Sequence, residues 1–430
     1  MMRRTLLLPL LFAACSQGSE PAGSTTIAVA AAPPGATAAG GTPAAASTGA
    51  AGWDDRDFAI PSEKFSDPAR NFEAAKRALL ADYYAGGLTE EDLYRAAVAG
   101  MVERVDPQMH KWNRLLSPSD LADLHSDLQG EIVGIGMIIG SFDPTSGYID
   151  VKGTVAGSPA ERAGLAPPDK IVTVDGKLFR GMTLRDVVRE VRGKAGETVT
   201  LSVLRGDKLL SIPVVREKVT FDTVRADVIG HDVGYVRIPA FNAKTPAALH
   251  DVLADLAARG AKGLVLDVRS NQGGLFDDAV ASVGLLVPAG STVVNLNRRG
   301  KVEPVVAKTT PLLPDVPVAV LVNKDTASSA ELVAAALHDL RHATLIGTGT
   351  RGKWTVQKID DLPNGYALKY TSALFTSPAG KSFEGVGMLP DIAVDEAGEA
   401  VEHALLEKDP VKRVEGDVQI RTALAVVGGR

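Results

Sequence analysis

Val318 to Val322 form an apolar run bounded by Asn323-Lys324-Asp325, the pattern of a buried strand feeding a helix. Downstream, Leu332, Val333, Ala336, Leu337 and Leu340 recur at helical spacing and make one apolar stripe, so the helix packs and its first turn is fixed in space. Ser328 stands at the entrance of that helix, and Lys353 lies on the loop after the next strand. Helical periodicity also runs from Phe72 to Met101, and Asn364-Gly365 between two apolar runs is a hairpin signal. Beyond residue 400, Ala400 to Leu406 and Asp417 to Val427 read as short helices.

Free N–H groups at a helix start favour negative charge, so a serine there has donors ready for the oxyanion formed when its oxygen attacks a carbonyl. It needs a base. The seven histidines carry no recognisable triad context such as G-x-S-x-G, and lysine is the other candidate. A lysine with a reference pKa of about 10.4 must be depressed by burial before it can take the serine proton. Gly352 allows close approach to Lys353, and Trp354 is placed to exclude water. The plain alternative is that Ser328 is only an N-cap and Lys353 a solvated loop residue.

The whole segment TASSAELVAAALHDLRHATLIGTGTRGKWTVQ resembles the active-site signature of the C-terminal processing peptidases, or tail-specific proteases. In that family a serine of an S-A-S-x-S-E run is the nucleophile and the lysine of a T-F-G-K-G-x-V-Q run is the general base. By position, the resemblance implies Ser328 as nucleophile, Lys353 as base, Gln357 as the residue that orients the lysine and Asp339 as a supporting helix aspartate. Thr326 and Ala330 stand where many members have serines, Arg351 where an aromatic residue is usual, and Trp354 where a glycine is usual. An extended chain from Lys353 to Gln357 would leave the two roughly 13 Å apart. One helical turn would bring them within reach.

The resemblance continues through LVLDVRSNQGGLFDDAVASVGLLV, residues 264 to 287, which is similar to the family's strand, glycine loop and helix. It implies an oxyanion hole made by the amide of Ser329 and one from Gly273 or Gly274, although a Gly-Gly pair after a strand alone is an ordinary turn. VDPQMHKWNRLLSPSDLADLHSDLQGEIVGIG resembles the family's connector, and LPNGYALKYTSALFTSPAGKSFEGVGMLPDIAV its closing hairpin. Residues 131 to 216 look like a PDZ domain, with Gly134, Ile135, Gly136 and Met137 at the peptide-binding strand and loop. Such a domain captures a chain terminus as an added strand, its loop amides taking the carboxylate. The plain alternative is a glycine-rich turn in a domain used for packing.

The implied fold class is a multidomain α+β chain: a crotonase/Clp-like β/α peptidase core with an inserted PDZ domain and an N-terminal helical region. The expected organisation is a lipoprotein signal peptide over 1–15, a flexible tether over 16–65, a helical region over 66–130, a PDZ domain over 131–216, a serine peptidase core over 217–396 and a helical tail over 397–430. The expected activity is cleavage of protein or peptide substrates held by their free C-termini, without a cofactor. A homo-oligomer or an adaptor protein would be further partners. The other function class is a catalytically inactive, lipid-anchored PDZ adaptor, against which retention of both Ser328 and Lys353 argues.

Composition agrees with this parse. A 430-residue chain with 45% hydrophobic residues has room for about three cored domains. Its net charge of −6 offers no basic stripe for nucleic acid. Arg3-Arg4 followed by a short apolar core reads as a signal peptide, and Leu-Phe-Ala-Ala-Cys15 resembles a bacterial lipobox. Lipid on Cys15 would place the protein in a bacterial envelope, on the periplasmic side, at the outer membrane before the inner. Cys15 is the single cysteine, so an internal disulfide framework is ruled out. Residues 16 to 52 are rich in Ala, Gly, Pro, Ser and Thr with almost no charge and build no packed core. His338 and His342 have a spacing that can grip zinc, but no H-E-x-x-H motif accompanies them, and no metal is expected.

Overall fold

The computed structural model describes residues 7–8, 66–105, 112–220, 223–313, 315–395, 407 and 409–428. Cys15, the tether and the helix expected over Ala400–Leu406 lie outside the described residues. The chain forms two compact units, Gln17–Ala97 and a larger one combining Met1–Ser16 with Val98–Arg430. In place of one helical stretch over Phe72–Met101 there are two helices, α1 (Pro68–Asp82) and α2 (Glu90–Arg104). Gly86-Gly87 separates them, Gly87 at φ 92°, a conformation that a helix cannot continue through. Lys76 Nζ reaches Glu90 Oε1 at 2.5 Å and ties the two together.

The larger unit begins with β1 (Leu7–Leu8), then β2 (Arg114–Leu116) and α3 (Pro118–Leu128), which Ser117 caps at the amide of Asp120. A small domain follows: β3 (Glu131–Gly134), β4 (Met137–Asp143), β5 (Tyr148–Thr154), α4 (Pro159–Arg162), β6 (Lys170–Val174), β7 (Lys177–Leu178), α5 (Leu184–Val191), β8 (Thr198–Arg205) and β9 (Lys208–Val215). Its sheet runs β4-β5-β6-β8-β9, with β7 beside β6. Strand β8 alternates, burying Val199, Leu201 and Val203 against Ile149, Ile171 and Val187 while the residues between face outward. β4 is an edge strand, and α5 contributes Val187 and Val191 to the same buried core.

The remaining elements are β10 (Glu217–Thr220), β11 (Arg225–Ile229), β12 (Val233–Arg237), α6 (Thr245–Ala258), β13 (Gly263–Asp267), α7 (Phe276–Gly284), β14 (Thr292–Arg298), β15 (Lys301–Val306), β16 (Val318–Val322), α8 (Ser329–Arg341), β17 (Thr344–Gly347), β18 (Thr355–Asp361), β19 (Ala367–Thr376), β20 (Ile392–Ala393), α9 (Pro410–Gly416) and α10 (Val418–Val427). β10 pairs with β3 and joins the small domain to the core. The main sheet has the order β11-β12-β13-β16-β17-β20, parallel from β12 onward. Every residue of β13 and β16 is buried, because helices cover both faces. Leu264, Leu266, Val320 and Val322 pack toward α6, α7 and α8, whereas Val265, Ala319 and Leu321 pack toward Ile420, Ala423 and Val427 of α10.

A second, antiparallel sheet runs β18-β19-β14-β15, with β2 on β19. β1, which falls inside the 1–15 segment read as a signal peptide, pairs with the outer edge of β18, an edge that removal of that leader at Cys15 would leave open. β18 and β19 meet at Asn364-Gly365, where φ values of 61° and 79° make the positive-φ turn that suits a twisted hairpin. Among the described residues no helix is long and apolar enough to cross a membrane.

Candidate active site

Both β13 and β16 point their C-terminal ends at one place, the edge of an open parallel sheet where binding crevices form. The loop after β16 turns into α8 at Ser328, whose φ of 58° and ψ of −119° are outside the usual range for a side-chain-bearing residue. Backbone strain of that kind costs on the order of 1 to 3 kcal/mol and persists only where the surroundings over-determine it. Here they do: Thr326 Oγ1 donates to the carbonyl of Val268 at 2.9 Å, and the amide of Ala327 donates to that of Asn271, also at 2.9 Å. Ser328 is almost wholly buried, and its Oγ has no hydrogen-bond partner among the described residues.

The loop after β13 supplies the opposite wall. Asn271 anchors it, its Nδ2 donating to the carbonyl of Ile238 and its Oδ1 accepting the amide of Gly273, both at 2.8 Å. The amide of Gly273 is therefore engaged inside the loop. A Cβ on Gly273 would lie 2.9 Å from Ser328 Cβ and 3.1 Å from the amide nitrogen of Ser329, and one on Gly274 would lie 1.8 Å from the carbonyl oxygen of Phe241. Only glycine allows this approach, and it brings the Gly273-Gly274 backbone directly against Ser328 and Ser329.

Glu331, absent from the residues singled out in the sequence, joins nucleophile loop to lysine loop. Its Oε2 accepts the amide of Ser328 at 2.8 Å and that of Lys353 at 2.9 Å. Its Oε1 accepts the amide of Gly352 at 2.8 Å and Thr350 Oγ1 at 2.5 Å. A fully buried carboxylate with four donors has its hydrogen-bonding capacity met. The signal for it is in the sequence: Ser328-x-x-Glu331 has capping-box spacing.

Lys353 is buried, and its Nζ lies 4.4 Å from the centre of the Trp112 ring. The residues that depart from the family pattern have structural work. Arg351 pairs with Asp325 and donates its amide to the carbonyl of Thr326 at 3.0 Å, fastening the lysine loop to the nucleophile loop. Trp354 is fully buried, its ring 4.8 Å from that of Phe375 and 5.1 Å from that of Phe383, and its amide donates to Glu384.

Gln357 sits in β18, so the helical turn that would carry it to Lys353 is not formed. Pairing with β19 holds the chain extended, and Gln357 Nε2 donates to Thr371 Oγ1 at 2.9 Å. Its Oε1 is buried without a hydrogen-bond partner among the described residues. Asp339 lies roughly 16 Å along α8 from Ser328, from eleven residues at helical rise. It accepts the amide of Ala379 at 3.0 Å; burial opposes its charge, but Ser377, that amide and His338 hold its carboxyl below the usual range. Asp339 thus supports the loop after β19 rather than touching serine or lysine. His338 faces Asp339 and Asp391 at 3.3 and 3.4 Å, and His342 ends α8. Among the described residues no three His, Cys, Asp or Glu side chains are grouped to hold a metal.

In the small domain, Gly134 ends β3 and Met137 opens the edge strand β4. Ile135 is buried and its carbonyl accepts the amide of Ala160 at 2.7 Å, while that of Gly136 accepts the amide of Val155 at 2.8 Å. The loop between β3 and β4 is thereby fixed beside the open edge.

Residues 232–394 match the model of peptidase family S41, and residues 151–205 match that of a PDZ domain. The chain is 35% identical over 314 residues to the carboxy-terminal-processing protease of Bartonella bacilliformis, covering 71% of this chain and 70% of that one. It is 34% identical over 326 residues to a Staphylococcus aureus protein named probable CtpA-like serine protease, covering 75% of this chain and 64% of that one. The chain thus spans under two thirds of the length of that relative. Among solved structures, the photosystem II D1 C-terminal processing protease is similar, with 30% identity and a TM-score of 0.52 over 81% of this chain and 92% of that one.

Proposed function

Because the chain belongs to peptidase family S41 and carries a PDZ domain, we propose that it is a serine endopeptidase of the C-terminal processing type. Its core is read as crotonase/Clp-like. Ser328 Oγ attacks the substrate carbonyl while Lys353, neutral, takes the hydroxyl proton; the proton passes to the leaving amine as the peptide C–N bond breaks. Water then attacks the acyl-serine ester, Lys353 takes its proton, and Ser328 leaves with that proton restored. The amides of Ser329 and Gly274 bind the oxyanion, since that of Gly273 is already given to Asn271. With the chain extended, Gln357 would hold the lysine through its Oε1, which has no hydrogen-bond partner among the described residues, only if Nζ leaves the Trp112 ring and the two long side chains lean toward each other across the roughly 13 Å between their backbones.

The observation that carries this reading is the single carboxylate of Glu331, which accepts the backbone amides of both Ser328 and Lys353 and so ties together the two loops that carry the proposed nucleophile and base. Substrates are captured by their free C-termini on Gly134, Ile135, Gly136 and Met137 beside the edge strand β4, and lipid on Cys15 holds the protein at the outer membrane, facing the periplasm.

Incubation of the soluble protein lacking residues 1–52 with unfolded substrates, followed by mass spectrometry of the products, tests both activity and tail reading. A substrate with an apolar free C-terminus is expected to be cut well and its C-terminally amidated form poorly. Equal cleavage of the two would show that the carboxylate is not read, and no cleavage of either would refute the peptidase.

A further inference from the structure

The C-terminal helix α10 follows the segment matched to the peptidase family and carries no role in the chemistry above. Its N-terminal residues are nevertheless buried against the base of the oxyanion loop. Arg269, two residues beyond β13 and four before Gly273, is fully buried. Its guanidinium hydrogen-bonds Asp267 at 3.0 and 2.7 Å and Gln419 Oε1 at 2.9 Å, and forms an ion pair with Asp417 Oδ2 at 2.8 Å that lacks hydrogen-bond geometry. Asp417 and Gln419 are just as deeply buried.

Each of these two is itself held. Asp417 Oδ1 accepts the amide of Ile420 at 2.9 Å and so starts α10, while Gln419 Nε2 donates to the carbonyl of Val394 at 2.7 Å. A second link runs alongside: the Arg413 guanidinium of α9 lies 5.3 Å from the centre of the Tyr235 ring, and the Tyr235 hydroxyl donates to Asp267 at 2.7 Å. A buried guanidinium is tolerated only when its donors and charge are met, so removing one partner shifts or loosens the arginine. Arg269 cannot move alone. Its amide donates to Asp267 and its carbonyl accepts Arg237, and the next residue, Ser270, is held at φ 57° with its amide on Asn323 Oδ1 at 2.8 Å. From there the chain runs through Asn271 to Gly273 and Gly274.

We infer that Asp417 and Gln419 are positioning residues for the oxyanion loop, acting through Arg269. The inference rests on the peptidase reading for its kinetic consequence, but not for its structural one. Packing of α10 through Ile420, Ala423 and Val427 stabilises the sheet whatever happens at the loop; the polar pair at its start sets where the loop leaves the sheet.

The test compares full-length wild type with Asp417→Asn, which keeps shape and the cap oxygen but removes the charge, and with the milder Gln419→Met. Amide hydrogen exchange is followed over residues 268–276 and over α8, beside kcat and KM for a cleaved protein substrate. The expected result is faster exchange confined to residues 268–276, with kcat lower by about ten- to a hundredfold and KM little changed, as a displaced catalytic donor would give. Unchanged exchange in that stretch, in variants whose melting temperature alone falls, would overturn the inference. So would a fall in kcat with the loop exchanging as in wild type. If Asp417→Asn does not fold, Gln419→Met decides on the same readouts. Should wild type cleave nothing while both variants loosen the loop, the peptidase reading fails and the positioning stands.

Discussion

At the scale of single residues, Glu331 is the most demanding position in the molecule. Four donors converge on one buried carboxylate, and two of them are the amides of Ser328 and Lys353. Glu331→Gln keeps the volume but offers one acceptor oxygen and presents an NH2 group to amides that also donate. Stability should fall by about 2 to 4 kcal/mol, the range for unsatisfied partners of a charged group, and turnover by about a hundredfold. Denaturant unfolding and kcat measured on the same preparation check this; turnover within about twofold of wild type would show that the carboxylate does not set the site. Ser328 was legible from its place before an apolar helical stripe. Glu331 was equally open to reading from its spacing, yet its purpose depends on Gly352 and Lys353, which come from a loop that only the fold brings to it.

Among the elements, β16, its following helix and the Asn364-Gly365 hairpin stand where their patterns put them, since their signals are local: a β-branched run, a 3.6-residue stripe and two residues suited to positive φ. What failed to show was non-local. Gln357 lies extended because β19 pairs with it, and Arg269 meets Gln419 across 150 positions of sequence. Asp267 carries the pH consequence of that network. Burial opposes its charge, but the Arg269 and Arg237 guanidiniums outweigh it and hold its carboxyl down at about 2. A depressed pKa gives stability that is present above the ordinary carboxylate range and lost as pH falls through about 2. The stability gap between wild type and Asp267→Asn should therefore narrow by about 2 kcal/mol between about pH 6 and about pH 2. A gap that stays constant in thermal melts over that range would show that the ion pair does not set the acid limb.

For the whole molecule, the edge strand of the small domain and the serine at the sheet edge belong to one compact unit. The proposed address at a bacterial envelope membrane rests on Cys15. Cys15→Ser is expected to move the protein from the membrane to the soluble periplasmic fraction without changing the activity of its soluble part, because stable attachment needs several acyl chains and nothing in the catalytic groups uses the cysteine. Wild-type protein recovered soluble with an unmodified N-terminus would contradict the anchor.

The central claim is that Ser328 and Lys353 act as one catalytic unit. The most direct measurement is turnover of an unfolded protein with an apolar free C-terminus by wild type, Ser328→Ala, Lys353→Ala, Lys353→Arg and the Ser328→Ala/Lys353→Ala double variant, each checked for fold and tail binding. Wild type should cleave, with a rate that climbs as pH rises and the lysine loses its proton. Every variant should bind tails and cleave nothing measurable; the double should be no worse than either single, because residues that act as a unit are not additive, and arginine fails because it stays protonated. Undiminished proteolysis by pure Ser328→Ala protein would contradict the account.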